Sequence, residues 1–198
     1  TGPGAASAAR PPNRGIPMAE LTRAQNQVLE LLRGAPMAGA RDARERACFD
    51  DFAAARADCC ERTCTPGHFT GSAWLVSGDG ERALMLHHRK LDRWLQPGGH
   101  ADGDSDLAAV ALREAEEETG LSGLRVEGGV FDLDRHEIPA RAAEPAHYHY
   151  DVRFVVRAGA HEDFTVSEES HALKWLPVRE IAEDPGADPS VRRMAQRW

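Results

Sequence analysis

The run from Gly98 to Leu121, GGHADGDSDLAAVALREAEEETGL, constrains this chain more than any other stretch. Leu107, Ala108, Ala111, Leu112 and Ala115 recur at helical spacing, which predicts an amphipathic helix from about Asp106 to Thr119. Gly120 ends it, and Leu121 is the apolar residue that packs back after such a cap. Glu114, Glu117 and Glu118 fall at i, i+3 and i+4, on one face and within a turn of each other. Like charges so placed repel by about 0.2 to 0.5 kcal/mol per pair, and they crowd the negative end of the helix dipole. Local stability does not select this arrangement. A hard divalent cation does, because Mg²⁺ or Mn²⁺ takes carboxylate oxygens and leaves positions for water and phosphate oxygens. A solvated acidic helix end is the alternative reading of a bare EEE run. Gly98 and Gly99, just upstream, predict a side-chain-free turn that lets backbone approach a metal and a phosphate closely.

The full spacing decides between these readings. From Gly99 to Leu121 the chain resembles the signature of the Nudix hydrolase superfamily, G-x5-E-x7-R-E-U-x-E-E-x-G-U with U apolar. The single departure is Ser105, where the family has Glu, flanked here by Asp104 and Asp106. RWLQPGGH ahead of the box, and Glu169 in the pattern E-S-x-x-L-x-W-L-P after it, are similar to what surrounds the box in this superfamily. The resemblance implies an α/β (α+β) fold, a mixed sheet sandwiched between helices. It further implies a metal-dependent pyrophosphohydrolase of the ADP-ribose pyrophosphatase-like kind, with Mg²⁺ or Mn²⁺ as cofactor.

On that resemblance Glu114, Glu117 and Glu118 are metal ligands, joined by the Gly99 carbonyl. Glu114, Glu117 and Arg113 belong to the catalytic set, with Arg113 bracing the loop against the helix through a carboxylate. Residue 105 cannot supply that carboxylate, so Asp104 or Asp106 is expected to turn inward to Arg113. A general base must deprotonate the attacking water. Glu169 is the candidate outside the box, Glu168 the runner-up, and two solvated loop carboxylates the bland alternative.

Histidines are unusually patterned. His147, His149 and Asp151 alternate along one strand face, Tyr148 and Tyr150 face the other way, and His100 and His136 are placed to approach from neighbouring loops. His100, His147 and His149, with Arg89, are assigned to substrate phosphate. A second, softer metal site and partly exposed strand histidines are the competing readings. Cys59, Cys60 and Cys64 with His68 mimic zinc spacing, but adjacent cysteines rarely both ligate one ion, so free thiols in a reducing compartment are the better reading.

The chain has 24 basic and 32 acidic residues among 198, which argues against a nucleic-acid polymer as partner. No apolar run approaches the ~20 residues needed to cross a bilayer, and cytoplasm is the default location. Residues 1–17 read as a disordered tail. Residues 18–65 read as a helical extension, with one helix from Met18 to Arg33 and a second from Ala40 to about Asp58. It packs on the main domain or on a second copy, so a homodimer is admitted. Residues 66–198 form the Nudix-like domain: a hairpin of 69–76 and 83–87 about Gly78-Asp79-Gly80, a short strand at 94–96, strands at 124–134 and 147–157, and helices at 178–183 and 190–196.

Two other functions compete. A catalytically silent nucleotide sensor of this fold would be expected to lose box carboxylates, which are kept here. An isomerase of the isopentenyl diphosphate type would need a catalytic Cys after an early strand, whereas Cys59, Cys60 and Cys64 precede the first. The expected substrate is a small nucleoside diphosphate linked to another moiety, ADP-ribose-like.

Overall fold

The computed structural model describes residues 20–141, 144–167 and 170–198, so the expected tail at 1–17 lies outside the described residues. Strands β1 (Gly67–Val76), β2 (Arg82–His88), β3 (Arg93–Leu95), β4 (Gly98–His100), β5 (Arg125–Ile138), β6 (His147–Arg157) and β7 (Ser170–Pro177) form one mixed sheet. Its spine runs β3-β2-β1-β6-β5, with β4 paired to β1 and β7 to β2. β1 is buried along its whole length, as expected of a central strand covered on both faces. It runs parallel to β6 and antiparallel to β4.

Helices α1 (Arg23–Arg33), α2 (Ala40–Ala55) and α3 (Leu107–Thr119) cover one face. Val28, Leu32, Phe49 and Phe52 join Phe69, Val110, Ala111 and Tyr150 in a shared cluster, with the Phe52 and Tyr150 rings stacked at 3.9 Å. Helices α1 and α2 therefore share a core with the sheet. Helices α4 (Val178–Glu183) and α5 (Pro189–Arg197) cover the other face through Trp74, Met85, Val155, Ile181 and Met194. Among the described residues no helix is long and apolar enough to cross a membrane.

Several expected boundaries shift for physical reasons. α2 stops at Ala55 rather than near Asp58. Buried Gln25 of α1 donates its amide to the Ala53 and Ala54 carbonyls at 2.8 and 3.0 Å, satisfying groups that further helix would otherwise need to pair. α1 begins at Arg23 because Thr22 and Gln25 close a capping box there. The β1–β2 hairpin is barely paired, at Val76↔Ala83, because β2 gives its edges to β3 and β7. β7 is a strand beyond those the sequence pattern predicts. The expected Gly-Gly turn is instead strand β4, with Gly98 opposite Ser72 and Gly99 opposite Gly71.

Candidate active site

α3 carries the carboxylates to β4. Its start is fixed by Asp106, whose carboxylate accepts from the Ala109 N–H at 3.1 Å, and its end by Gly120 in the left-handed region at φ 68°. It lies close against β1, because Gly71 has no side chain: a Cβ there would stand 2.7 Å from the Leu107 carbonyl oxygen. The same closeness recurs at Gly99, where a Cβ would meet Glu114 Oε2 at 2.3 Å. The Gly98 N–H donates to Glu118 Oε2 at 2.9 Å, and Glu118 is buried. Glu117 lies on the same helix, exposed. The structure thus brings Gly98, Gly99, Glu114 and Glu118 together directly and sets Glu117 a turn from Glu114.

This is an oxygen-only donor set on a rigid helix beside a cradle that a Cβ would fill. It fits a hard divalent cation and has nothing to offer a soft one.

Arg113 is braced differently from expectation. Its guanidinium donates to the His100 carbonyl at 3.3 Å and to Glu114 Oε1 at 3.1 Å. Asp104 and Asp106 do not turn to it. Asp106 is committed to the helix cap, and Asp104 accepts from the Asp106 N–H at 2.9 Å. Ser105 points outward and donates to Gln27 Oε1 at 3.1 Å. The loop is therefore held to the helix through a backbone carbonyl.

His100, His147 and His149 come together on the opposite sheet face. Gly99 directs its missing Cβ toward α3, whereas that of Gly98 would fall 2.1 Å from Ser72 Oγ, and His100 shares the Gly98 side by alternation. His68 of β1, which spacing had grouped with the cysteines, stands in register with His149. Its ring lies 5.0 Å from His100, 5.0 Å from His147 and 4.9 Å from His149. His136 adds a ring 5.4 Å from His149. Burial pushes the His68 imidazole down to about 4, with the charges of His100 and His147 adding to the shift. Burial likewise lowers His149 and His100. Pairing of His68 with this set was not legible from spacing, because it needs the parallel β1–β6 register.

Asp151 is spoken for. It accepts from Thr70 and Ser72 hydroxyls at 2.9 and 2.7 Å and from Arg153 at 2.7 Å. Cys59, Cys60 and Cys64 are buried free thiols, as expected. Exposed Arg89 donates to the Ser170 carbonyl at 3.2 Å, beside the segment bearing Glu168 and Glu169. Those two glutamates lie outside the described residues. A cavity of about 840 Å³ opens between β3 and α4–α5, lined by Met85, Trp94, Ile181 and Asp188 among others, and none of Gly99, Glu114, Glu117 or Glu118 lines it.

The strand glycines and helix carboxylates brought together here are the residues that resemble the Nudix signature. A family model described as the NUDIX domain matches residues 68–197, and the chain belongs to that family. It is 31% identical over 112 residues to a Mycobacterium tuberculosis protein provisionally named 8-oxo-dGTP diphosphatase 3, covering 54% of this chain and 50% of that one. It is 30% identical over 113 residues to a Streptomyces rubellomurinus CMP-5'-(N-acetyl-N-hydroxy-3-aminopropyl)phosphonate hydrolase, covering 55% and 52%. The chain thus spans about half the length of the curated relatives it matches. A crystallised C. elegans Ap4A hydrolase shares the fold at a TM-score of 0.52 and 16% identity, over 65% of this chain and 93% of that one.

Proposed function

We propose that this chain is a metal-dependent pyrophosphohydrolase acting on a nucleoside diphosphate linked to another moiety, ADP-ribose-like in that general sense. The observation that carries the reading is the contact of β4 with Glu114 and Glu118 across side-chain-free backbone. Glu114, Glu117, Glu118 and the Gly99 carbonyl would hold Mg²⁺ or Mn²⁺, which when bound supplies charge to neutralise the diphosphate and to acidify a water. The protein's own part is positional. Gly98 orients Glu118 through its N–H, and Arg113 fixes the β4 carbonyl at His100 while holding Glu114 by one oxygen. A carboxylate then takes the proton from the attacking water, with Glu169 as the candidate outside the box and Glu168 behind it. The Streptomyces relative's name, a hydrolase of CMP joined to a phosphonate, supports a nucleotide linked to a second group. Residues 18–65 are read as an accessory extension and 66–198 as the catalytic domain. The reading places the enzyme in the cytoplasm, where free thiols persist.

A panel of ADP-ribose, dinucleoside polyphosphates, nucleotide-linked phosphonates and 8-oxo-dGTP, assayed with Mg²⁺ and with Mn²⁺, tests this. Release of a nucleoside monophosphate from the linked compounds is expected. Preference for a free triphosphate would overturn the substrate class, and no hydrolysis of any compound would restore the silent-sensor reading. In the same assay Glu169→Gln should lower kcat far more than it raises KM, as loss of a group acting in the transition state does. If Glu168→Gln shows that pattern instead, the two exchange roles.

A further inference from the structure

The geometry points to a second metal site, separate from the carboxylate box and specific for a borderline-soft divalent cation such as Zn²⁺, held by His68, His100 and His149. One ligand nitrogen from each of the three lies within 4.8 Å of the other two. Nitrogens bound at about 2.0 to 2.1 Å around a tetrahedral ion stand about 3.4 Å apart, so small side-chain rotations close the set. The three residues come from β1, β4 and β6, and strand register fixes all of them on one sheet face: His68 pairs with His149, and His100 pairs with Thr70, two residues along from His68.

The second observation is the state of the ring nitrogens. His68 is 2% exposed, and among the described residues both its nitrogens lack a hydrogen-bond partner, as does Nε2 of His149. The Cys64 carbonyl acts on the His68 ring from outside hydrogen-bond geometry. Buried imidazoles are normally hydrogen-bonded, and an unpaired ring lone pair is a cost that an ion removes. His147 completes the picture. Its Nδ1 lies 2.9 Å from the Pro145 carbonyl, which can only accept, so Nδ1 carries the proton and Nε2 keeps its lone pair. That is how metal-binding histidines are commonly oriented by their surroundings. His147, stacked 5.0 Å from His68, lies beside the three and would have to turn its ring to join them as a fourth ligand.

Donor chemistry separates this site from the box. All-imidazole sets suit Zn²⁺ and its neighbours and are poor ligands for Mg²⁺, whereas the glutamates are the reverse. Asp151 does not mix the two, being bonded to Thr70, Ser72 and Arg153. Such an ion would clamp the three-residue strand β4 to β1 and β6, and β4 carries Gly99. The site stands whether or not the pyrophosphohydrolase reading does, since its ligands and its readout are different.

The test uses the full chain stripped with chelator, then titrated with Zn²⁺ or Co²⁺ in excess Mg²⁺. One equivalent of Co²⁺ with the intense visible bands of tetrahedral nitrogen coordination is expected, and Zn²⁺ should displace it and raise Tm. His68→Gln and His149→Gln should each weaken the binding by at least about 100-fold, while Glu117→Gln leaves it unchanged. Should the histidine variants fail to fold, X-ray absorption on the Zn²⁺-loaded unsubstituted protein decides: three or more imidazole nitrogens at about 2.0 to 2.1 Å support the site. An all-oxygen shell, no stoichiometric uptake in the presence of Mg²⁺, or binding lost in Glu117→Gln and kept in both histidine variants would overturn it.

Discussion

The Gly98 N–H donates to Glu118 Oε2 at 2.9 Å, so a backbone donor of β4 holds one of the three clustered carboxylates of α3 in place. Hydrogen bonds to charged acceptors are worth about 1.5 to 3 kcal/mol, enough to offset the mutual repulsion on the helix. Glu117 is exposed on the same helix, so the two neighbours differ in what they contribute to the apo protein.

Both should matter to turnover. Glu117→Gln and Glu118→Gln are expected to cut kcat by about 100-fold or more, because each removes a charge that a divalent cation needs. Glu117→Gln should not lower the apo melting temperature, since like-charge repulsion falls, whereas Glu118→Gln should lower it modestly, because an amide oxygen accepts from Gly98 more weakly than a carboxylate. Steady-state rates and thermal melts on the two variants check this, and wild-type turnover in both would refute the metal assignment.

The two glycines should respond differently to the same substitution. A Cβ at Gly98 would stand 2.1 Å from Ser72 Oγ, 2.7 Å from its Cβ and 2.8 Å from its Cα, so strand β4 must move away from β1. Gly98→Ala is therefore expected to destabilise the fold. A Cβ at Gly99 meets the far end of the Glu114 side chain, which can swing aside. Gly99→Ala should keep most of the stability and lose activity, because the carboxylate it displaces is a proposed ligand. Equal losses of Tm in the two variants would contradict this difference.

The missing motif glutamate has a specific consequence. With Ser105 bonded outward to Gln27, Arg113 is left to the His100 carbonyl and Glu114, and its side chain is partly exposed. Arg113→Ala should reduce kcat through a misplaced Glu114 while costing little stability, as solvent screens such pairs. Ser105→Glu should be tolerated within about tenfold in activity, because it offers Arg113 a further partner without disturbing the Asp106 cap. A folded but inactive Ser105→Glu would show a direct role for Ser105.

The legible and illegible parts of this molecule divide by the range of the forces involved. α3 could be read because apolar spacing, an Asp cap and a Gly stop all act within one segment. β4 could not, because glycine has little strand preference and Gly98–His100 is extended only by virtue of its pairing with β1. The Arg113 partner was missed since a backbone carbonyl leaves no mark in the sequence. His68 was misgrouped for the same kind of reason. Its neighbours in space are set by a parallel crossover between residues some eighty positions apart, whereas its neighbours along the chain are cysteines.

The remaining prediction concerns acid stability. Arg153 and Asp132 are fully buried together, bonded at 3.4 Å, and Arg193 joins Asp132 and Asp134 at 2.8 and 2.7 Å. Arg197 of the same helix reaches Asp42 of α2 at 2.8 Å, so the cluster ties α5 and α2 to β5 and β6. Burial alone would push the Asp134 carboxyl up. The His136 hydrogen bond and the charges of Arg153 and Arg193 outweigh it and hold Asp134 well below its ordinary range. Asp42 is lowered in the same sense, burial being outweighed by Arg197. A folded-state value below the unfolded one means that the unfolded chain binds protons first. The contribution is complete above the unfolded carboxylate value, about 4, and drains away as pH falls below it. Urea midpoints should therefore fall in two stages, first between about pH 6.5 and 4, where the unfolded chain protonates His68, His100 and His149 before the folded protein does, and then steeply below 4 as the carboxylates take up protons, and Asp134→Asn should flatten only the second drop. Arg153→Met strands buried Asp132 and Asp151 without their shared cation and should cost about 3 to 5 kcal/mol at neutral pH. An Arg153→Met protein as stable as the parent would show that the cluster is held by Arg193 and Arg197 alone.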